Sequence, residues 1–114
     1  MKDDRVYLRH ILRCISRIEE YVSESPEALA SSHLVQDAVL RNLQTMAEST
    51  QRLSPAVKAR RPEIGWVALA GLRNLLVHAY LGVDLEQIQR AIARDMPGLK
   101  TACEALLEAL EQGD

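Results

Sequence analysis

A chain of 114 residues is one domain by length, spanning 1–114, and long enough to bury a single core without staples. It is 47% hydrophobic but only 4% aromatic, with no Phe, five Gly and four Pro; this favours packed helices of Leu, Ile, Val and Ala over a turn-rich β-sandwich. The net charge of −2 gives no global basic footprint, so any nucleic-acid binding must come from a local patch.

Asp3 or Asp4 can cap a first helix running to about Val22. Its apolar positions Leu8, Ile11, Leu12, Ile15, Ile18 and Val22 recur at the three-and-four spacing of one helical face. Arg5, Arg9, Arg13 and Arg17 recur every four residues, a stripe that winds by about 40° per step. It reads as a solvated face pairing with acids on a neighbouring helix or a partner, in preference to a strip that tracks RNA phosphates. Tyr7, Cys14 and Tyr21 form a second stripe, either an oligomer contact or extra core.

Ser25-Pro26 breaks the chain between Ser23 and Ser32, with room for one short turn. A second helix is expected from about His33 to Leu53, burying Val35, Ala38, Val39, Leu43, Met46 and Ala47. The connection from Ser54 to Pro62 carries Lys58, Arg60 and Arg61, an exposed and flexible basic run suited to contacting RNA or a partner. The most apolar segment, Ile64 to Leu81, reads as a third helix with Gly82 as its terminator. Asp84 then caps a fourth helix to about Arg94. Asp95-Met96-Pro97 is read as a restart, with Asp95 as N-cap and Pro97 in the first turn. The last helix, to about Glu111, buries Leu99, Ala102, Cys103, Leu106, Leu107 and Leu110. The expectation is an all-α bundle of four main helices, the last one broken.

Cys14 and Cys103 lie far apart in helical segments and make neither a metal motif nor a disulfide framework. The charged N-terminus and the lack of a membrane-length apolar span lead to the expectation of a cytoplasmic protein without membrane association.

The chemistry is concentrated in the third helix, where Arg73, Asn74, His78 and Tyr80 fall within an apolar run. Arg and His are a minimal kit for a phosphodiester: one cation holds the phosphate and one ring moves a proton near neutral pH. At about 100° per residue, Arg73 and His78 diverge by about 140°, whereas Asn74 and His78 share an edge, as do Arg73 and Tyr80. The set converges either if the long arginine bends round the helix or if a two-fold dimer faces two such helices across a cleft. The blander reading makes His78 a hydrogen-bonded packing residue, Arg73 a surface ion pair and Tyr80 a ring covering the helix end.

Arg73, Asn74, His78 and Tyr80 match the hallmark of the HepT family of HEPN-domain proteins, which this chain resembles over nearly its whole length. Ile64-Gly65-Trp66, Ala70-Gly71-Leu72 and Val83-Asp84 agree with the hallmark's surroundings. Asp4 to Leu12 resembles the family's first helix, and Gln36-Asp37-Ala38-Val39 with Arg41-Asn42-Leu43 its second. One departure is Met46-Ala47-Glu48-Ser49, where many relatives have Ile-Gly-Glu-Ala. The resemblance implies a HEPN-like antiparallel bundle of four to five helices that dimerises with the motif at a shared cleft. It implies a metal-independent endoribonuclease toxin, of the type VII toxin–antitoxin class, needing no cofactor. His78 is then acid or base for attack by a ribose 2′-hydroxyl, Arg73 the phosphate clamp and Asn74 a supporting residue. It further implies a minimal nucleotidyltransferase antitoxin (MntA-like) that transfers AMP to Tyr80, higher assemblies with that antitoxin, and transfer RNA as the favoured substrate. The alternative is a non-catalytic helical module that partners a nucleotidyltransferase and merely binds a nucleotide phosphate.

Overall fold

The computed structural model describes the backbone over 3–24, 27–80 and 85–113, and the side chains of these residues except at 24, 28, 73–75 and 77–80. Asp3 starts the first helix: its Oδ1 accepts the Arg5 N–H at 2.9 Å and its carbonyl accepts the Val6 N–H at 3.0 Å. The elements are α1 (Asp4–Glu24), α2 (Ala28–Ser31), α3 (His33–Arg52), α4 (Pro55–Ala59), α5 (Trp66–Tyr80) and α6 (Leu85–Glu111). The fold is all-α, and no strand occurs among the described residues. Four long helices form the bundle, while α2 and α4 are short turns set in the two connections. Gly82 and Asp84, the expected terminator and cap, lie outside the described residues.

The expected apolar stripes meet in one core. Leu8, Ile11, Ile15 and Ile18 of α1 pack with Val39, Leu40, Leu43 and Met46 of α3 and with Ile88, Leu99, Cys103 and Leu106 of α6. Each such side chain contributes about 1.5–3 kcal/mol by leaving water. The largest interface is α1 on α3; α6 closes over α1, and α5 leans mainly on α3, with only a sparse contact to α6. Tyr7 and Tyr21 pack against the core on either side of buried Cys14, so that stripe is core within this chain. Both cysteines are free and buried.

One expectation is overturned. The chain does not restart at Asp95: α6 runs unbroken from Leu85 to Glu111 with Pro97 inside it. A proline there removes one helical hydrogen bond and costs about 3 kcal/mol. Yet Ile88, Ile92, Met96, Leu99, Cys103 and Leu106 continue one register through the proline, and burying Met96 and Leu99 alone offsets that cost. Pro97 and Gly98 sit on the exposed side, and Asp95 pairs with the Arg94 guanidinium at 3.0 Å rather than capping a new helix.

The second helix ends as expected, because Ser54 precedes Pro55 and takes the extended conformation, φ −65° and ψ 152°. Beyond Ser54 the chain forms a helical turn in place of the expected loop. Ser54 Oγ caps the Val57 N–H at 3.2 Å and Pro55 fills the first turn of α4.

Candidate functional site

The helix carrying the motif is positioned by α4, which is held at both ends. At its start, Asp4 Oδ1 accepts the Ser54 N–H at 2.8 Å and Oδ2 accepts the Ser54 hydroxyl at 2.7 Å. Of the two aspartates offered as caps, Asp3 therefore caps α1 and Asp4 ties α1 to α4. At its end, the Trp66 indole N–H is shared between the carbonyls of Lys58 and Arg61, each at 3.1 Å. Trp66 is also the first residue of α5. The start of the motif helix is thus set by an indole that stops the preceding turn.

Lys58, Arg60 and Arg61 consequently belong to a pinned turn, not to the flexible loop expected. Lys58 and Arg61 are half-buried, Arg60 is exposed, and Arg61 pairs with Glu63 at 3.3 Å.

All four motif positions fall on α5; the side chains of Arg73, Asn74, His78 and Tyr80 lie outside the described ones. Register alone places the positions. Leu76 is buried, 3% exposed, and Leu69 and Leu72 pack beside it on the core. Positions 73 and 80 fall roughly 60° and 40° round the helix from Leu76. Positions 74 and 78 fall about 160° away, on the face opposite the core. Val67 and Gly71 continue that outer face toward the N-terminus, and Val67 is 88% exposed.

A groove of about 620 Å³ runs between α3, α5 and α6, beside the N-terminal half of the motif helix. Leu43, Ala68, Leu69, Leu72, Ile92 and Met96 give it apolar walls, and Glu63, Arg94 and Asp95 lie at its polar positions. Among the described residues, its lining on α5 extends to Leu72, the residue before Arg73.

The arginine stripe of α1 divides. Arg5 pairs with Asp3, and Arg9 reaches Glu111 of α6 at 3.0 Å, as a face paired with acids requires. Arg13 and Arg17 make no ion pair among the described residues. A second cleft, of about 450 Å³, lies between α1 and α3. Sequence reasoning missed it, since its parts are separated by some forty residues. The local signals were Arg9 and Arg13 of the arginine stripe and His10, a polar ring on the flank of the α1 core stripe.

The HepT-like model, described as "Ribonuclease HepT-like", matches residues 11–106. The chain belongs to this family of HepT-like ribonucleases. It is 35% identical over 101 residues to the "Probable ribonuclease HepT" of Thermococcus cleftensis, covering 88% of this chain and 92% of that one. It is 33% identical over 112 residues to the "Gamma-glutamylcyclotransferase and putative RNase" of Methanocaldococcus jannaschii, covering 97% of this chain but only 50% of that protein. A protein of Caldanaerobacter subterraneus named as an RNase is 29% identical over 109 residues, covering 95% of this chain and 97% of its own. No solved structure matches the chain. Among the described residues, no helix is long and apolar enough to cross a membrane.

Proposed function

We propose that this chain is an endoribonuclease toxin that cleaves RNA without a metal ion, acting as a homodimer with Arg73 and His78 as catalytic residues and Asn74 supporting them. The observation that carries this reading is the Arg73-Asn74-His78-Tyr80 set on one helix of a chain that the family model matches from 11 to 106. In the reaction, the ribose 2′-oxygen attacks the adjacent phosphorus and the bond to the 5′-oxygen breaks. The 2′-hydroxyl proton passes to a base and the leaving 5′-oxygen takes up a proton; His78 is the residue able to serve in either exchange near neutral pH. Arg73 offsets the charge growing on the phosphate oxygens. The ends left are a 2′,3′-cyclic phosphate and a 5′-hydroxyl.

The outer face of α5 supports the dimer. Among the described residues a Cβ built on Gly71 meets nothing within 4 Å, so none of their packing requires a glycine there. A mid-helix glycine costs about 0.5–1 kcal/mol relative to alanine. A second α5 approaching over Val67 and Gly71 gives both residues a purpose, and brings a second set of motif positions to the same cleft.

Silencing belongs to the same proposal. A nucleotidyltransferase antitoxin joins the α-phosphorus of ATP to the Tyr80 hydroxyl, with pyrophosphate leaving. The new phosphate lies on the helix edge that Tyr80 shares with Arg73, where it competes for the cation that RNA needs.

The test is cleavage of transfer RNA, then messenger RNA, by wild type and by His78→Ala, with mapping of the ends. Wild type is expected to leave cyclic phosphates, and His78→Ala to be slower by about 10²–10⁴-fold. Undiminished cleavage by His78→Ala sinks the mechanism. Tight binding to a nucleotidyltransferase by a wild type that cuts no RNA selects the non-catalytic module. An AMP-sized mass increase on Tyr80 after incubation with ATP and the antitoxin is required by the silencing step.

A further inference from the structure

The cleft between α1 and α3 is basic and built on a polar floor, beside the apolar core that the two helices share. Tyr7, Arg9, His10 and Arg13 line it from α1, and Glu48, Ser49 and Arg52 from α3. On the floor, His10 Nδ1 lies 2.7 Å from Ser49 Oγ, and Ser49 is 6% exposed. The other ring nitrogen of His10 is 4.0 Å from Cys14 Sγ, which in turn is 3.4 Å from Thr45 Oγ1. These contacts lock the imidazole between the helices. Above it, Arg13 and Arg52 are both exposed and make no ion pair among the described residues. They come from sites 39 positions apart in the chain, yet share one cleft. Arg9 adds a third cation, partly committed to Glu111, and Glu48 is the one acid of the lining among the described residues.

Two exposed guanidinium groups lining one cleft, neither of them paired with a carboxylate among the described residues, suit a phosphodiester, whose oxygens accept their paired N–H groups. The volume of about 450 Å³ leaves room for more than the phosphate, and the half-buried Tyr7 ring offers a surface on which a base can stack. The cleft is separate from the motif helix. On α3, Thr45, Glu48, Ser49 and Arg52 face roughly 140° away from Leu43 and Met46, which line the groove toward α5.

We propose that the α1–α3 cleft is a second RNA-binding site, in which Arg13 and Arg52 hold backbone phosphates of the substrate away from the point of cleavage. The ligand assignment rests on the ribonuclease reading; the site itself does not. The bundle is only 26 by 25 Å in cross-section, so a folded RNA larger than the domain spans from this cleft to the face of α5. The site gives an otherwise acidic chain a local hold on RNA, and its loss weakens capture without touching the chemistry.

The experiment measures binding of a fluorescently labelled single-stranded RNA, 2′-O-methylated so that it cannot be cut, by anisotropy over a range of salt. Each phosphate contact on a single strand changes log K by about 0.7 per decade of salt, so two contacts are worth about 25-fold at 0.1 M. Arg13→Ala/Arg52→Ala is expected to bind about 25-fold more weakly, with a salt slope smaller by about 1.4. Glu48→Gln is expected to bind more tightly. Arg90→Ala removes an exposed arginine of α6 that pairs with Glu86 and serves as the charge control; its affinity is expected to stay within about twofold. An unchanged affinity in the double variant, or an equal loss in Arg90→Ala, overturns the site. AMP is titrated in parallel: saturable AMP binding abolished in the double variant, with RNA binding unaffected, replaces RNA by a free nucleotide and overturns the assignment. On cleavable RNA the double variant is expected to raise KM and keep kcat. A wild type that binds RNA through these arginines but cuts none sinks the ribonuclease reading and leaves the site standing.

Discussion

Replacing Asp4 with alanine removes both acceptors that hold Ser54, and with them the tie between the start of α1 and the start of α4. Hydrogen bonds to a charged group contribute about 1.5–3 kcal/mol each. Asp4 and Ser54 are half-buried, so water partly replaces what is lost and the low end applies. Two bonds at that end give a loss of about 3 kcal/mol. For a domain of this size about 4 °C of Tm accompanies each kcal/mol, so Asp4→Ala is expected to melt roughly 12 °C lower. The assay is urea unfolding followed by circular dichroism on Asp4→Ala, Ser54→Ala and the pair. Ser54→Ala keeps its backbone N–H bond to Asp4 and loses only the hydroxyl, so a coupling of about 1–1.5 kcal/mol is expected between the two sites. A coupling below about 0.5 kcal/mol means the two changes are additive, which refutes the tie as a stabilising contact.

Two further perturbations test the fold. Pro97→Ala is expected to stabilise the protein by up to about 3 kcal/mol, because α6 is continuous and the proline sits in its interior; no change, or a loss, in urea unfolding restores a helix start at Asp95. Burial, with a smaller push from Glu104, raises the Cys103 thiol from an ordinary 9.0 to about 12. The unfolded chain therefore releases this proton first, and the contribution is full below about pH 9 and is lost as pH rises toward 12. Native Cys103 is accordingly expected to resist alkylation at pH 8 until urea is added, and rapid native labelling contradicts that burial.

Much of the fold was legible from local pattern. The stripe of Leu8, Ile11, Ile15 and Ile18 and that of Leu99, Cys103 and Leu106 are core in the structure, because a helical period repeats within a few residues and needs no knowledge of a partner. Within α3 the pattern was less complete. Leu40 is buried and Val35 only partly so, and Asn42, Ser49 and Thr50 are buried too. Asn42 and Thr50 are satisfied within α3, as where Thr50 Oγ1 donates to the Ala47 carbonyl at 2.7 Å, whereas Ser49 Oγ meets His10 of α1. Polar residues of this kind read as surface until a neighbour covers them. At Pro97 the local signal was real but was outweighed by burial on both sides of it.

The sequence by itself determined the helical class, the placement of Arg73, Asn74, His78 and Tyr80 on one helix, and the family to which they point. These follow from spacings of a few residues, which helical geometry converts directly into shared or opposed faces. Only the tertiary structure decided that Asp4 holds Ser54, that Trp66 closes α4, and that Arg13 and Arg52 line one cleft with His10 and Ser49. The Asp4–Ser54 and His10–Ser49 contacts join positions 50 and 39 apart, and docking two helices at another angle or register would leave every local spacing intact while separating each pair.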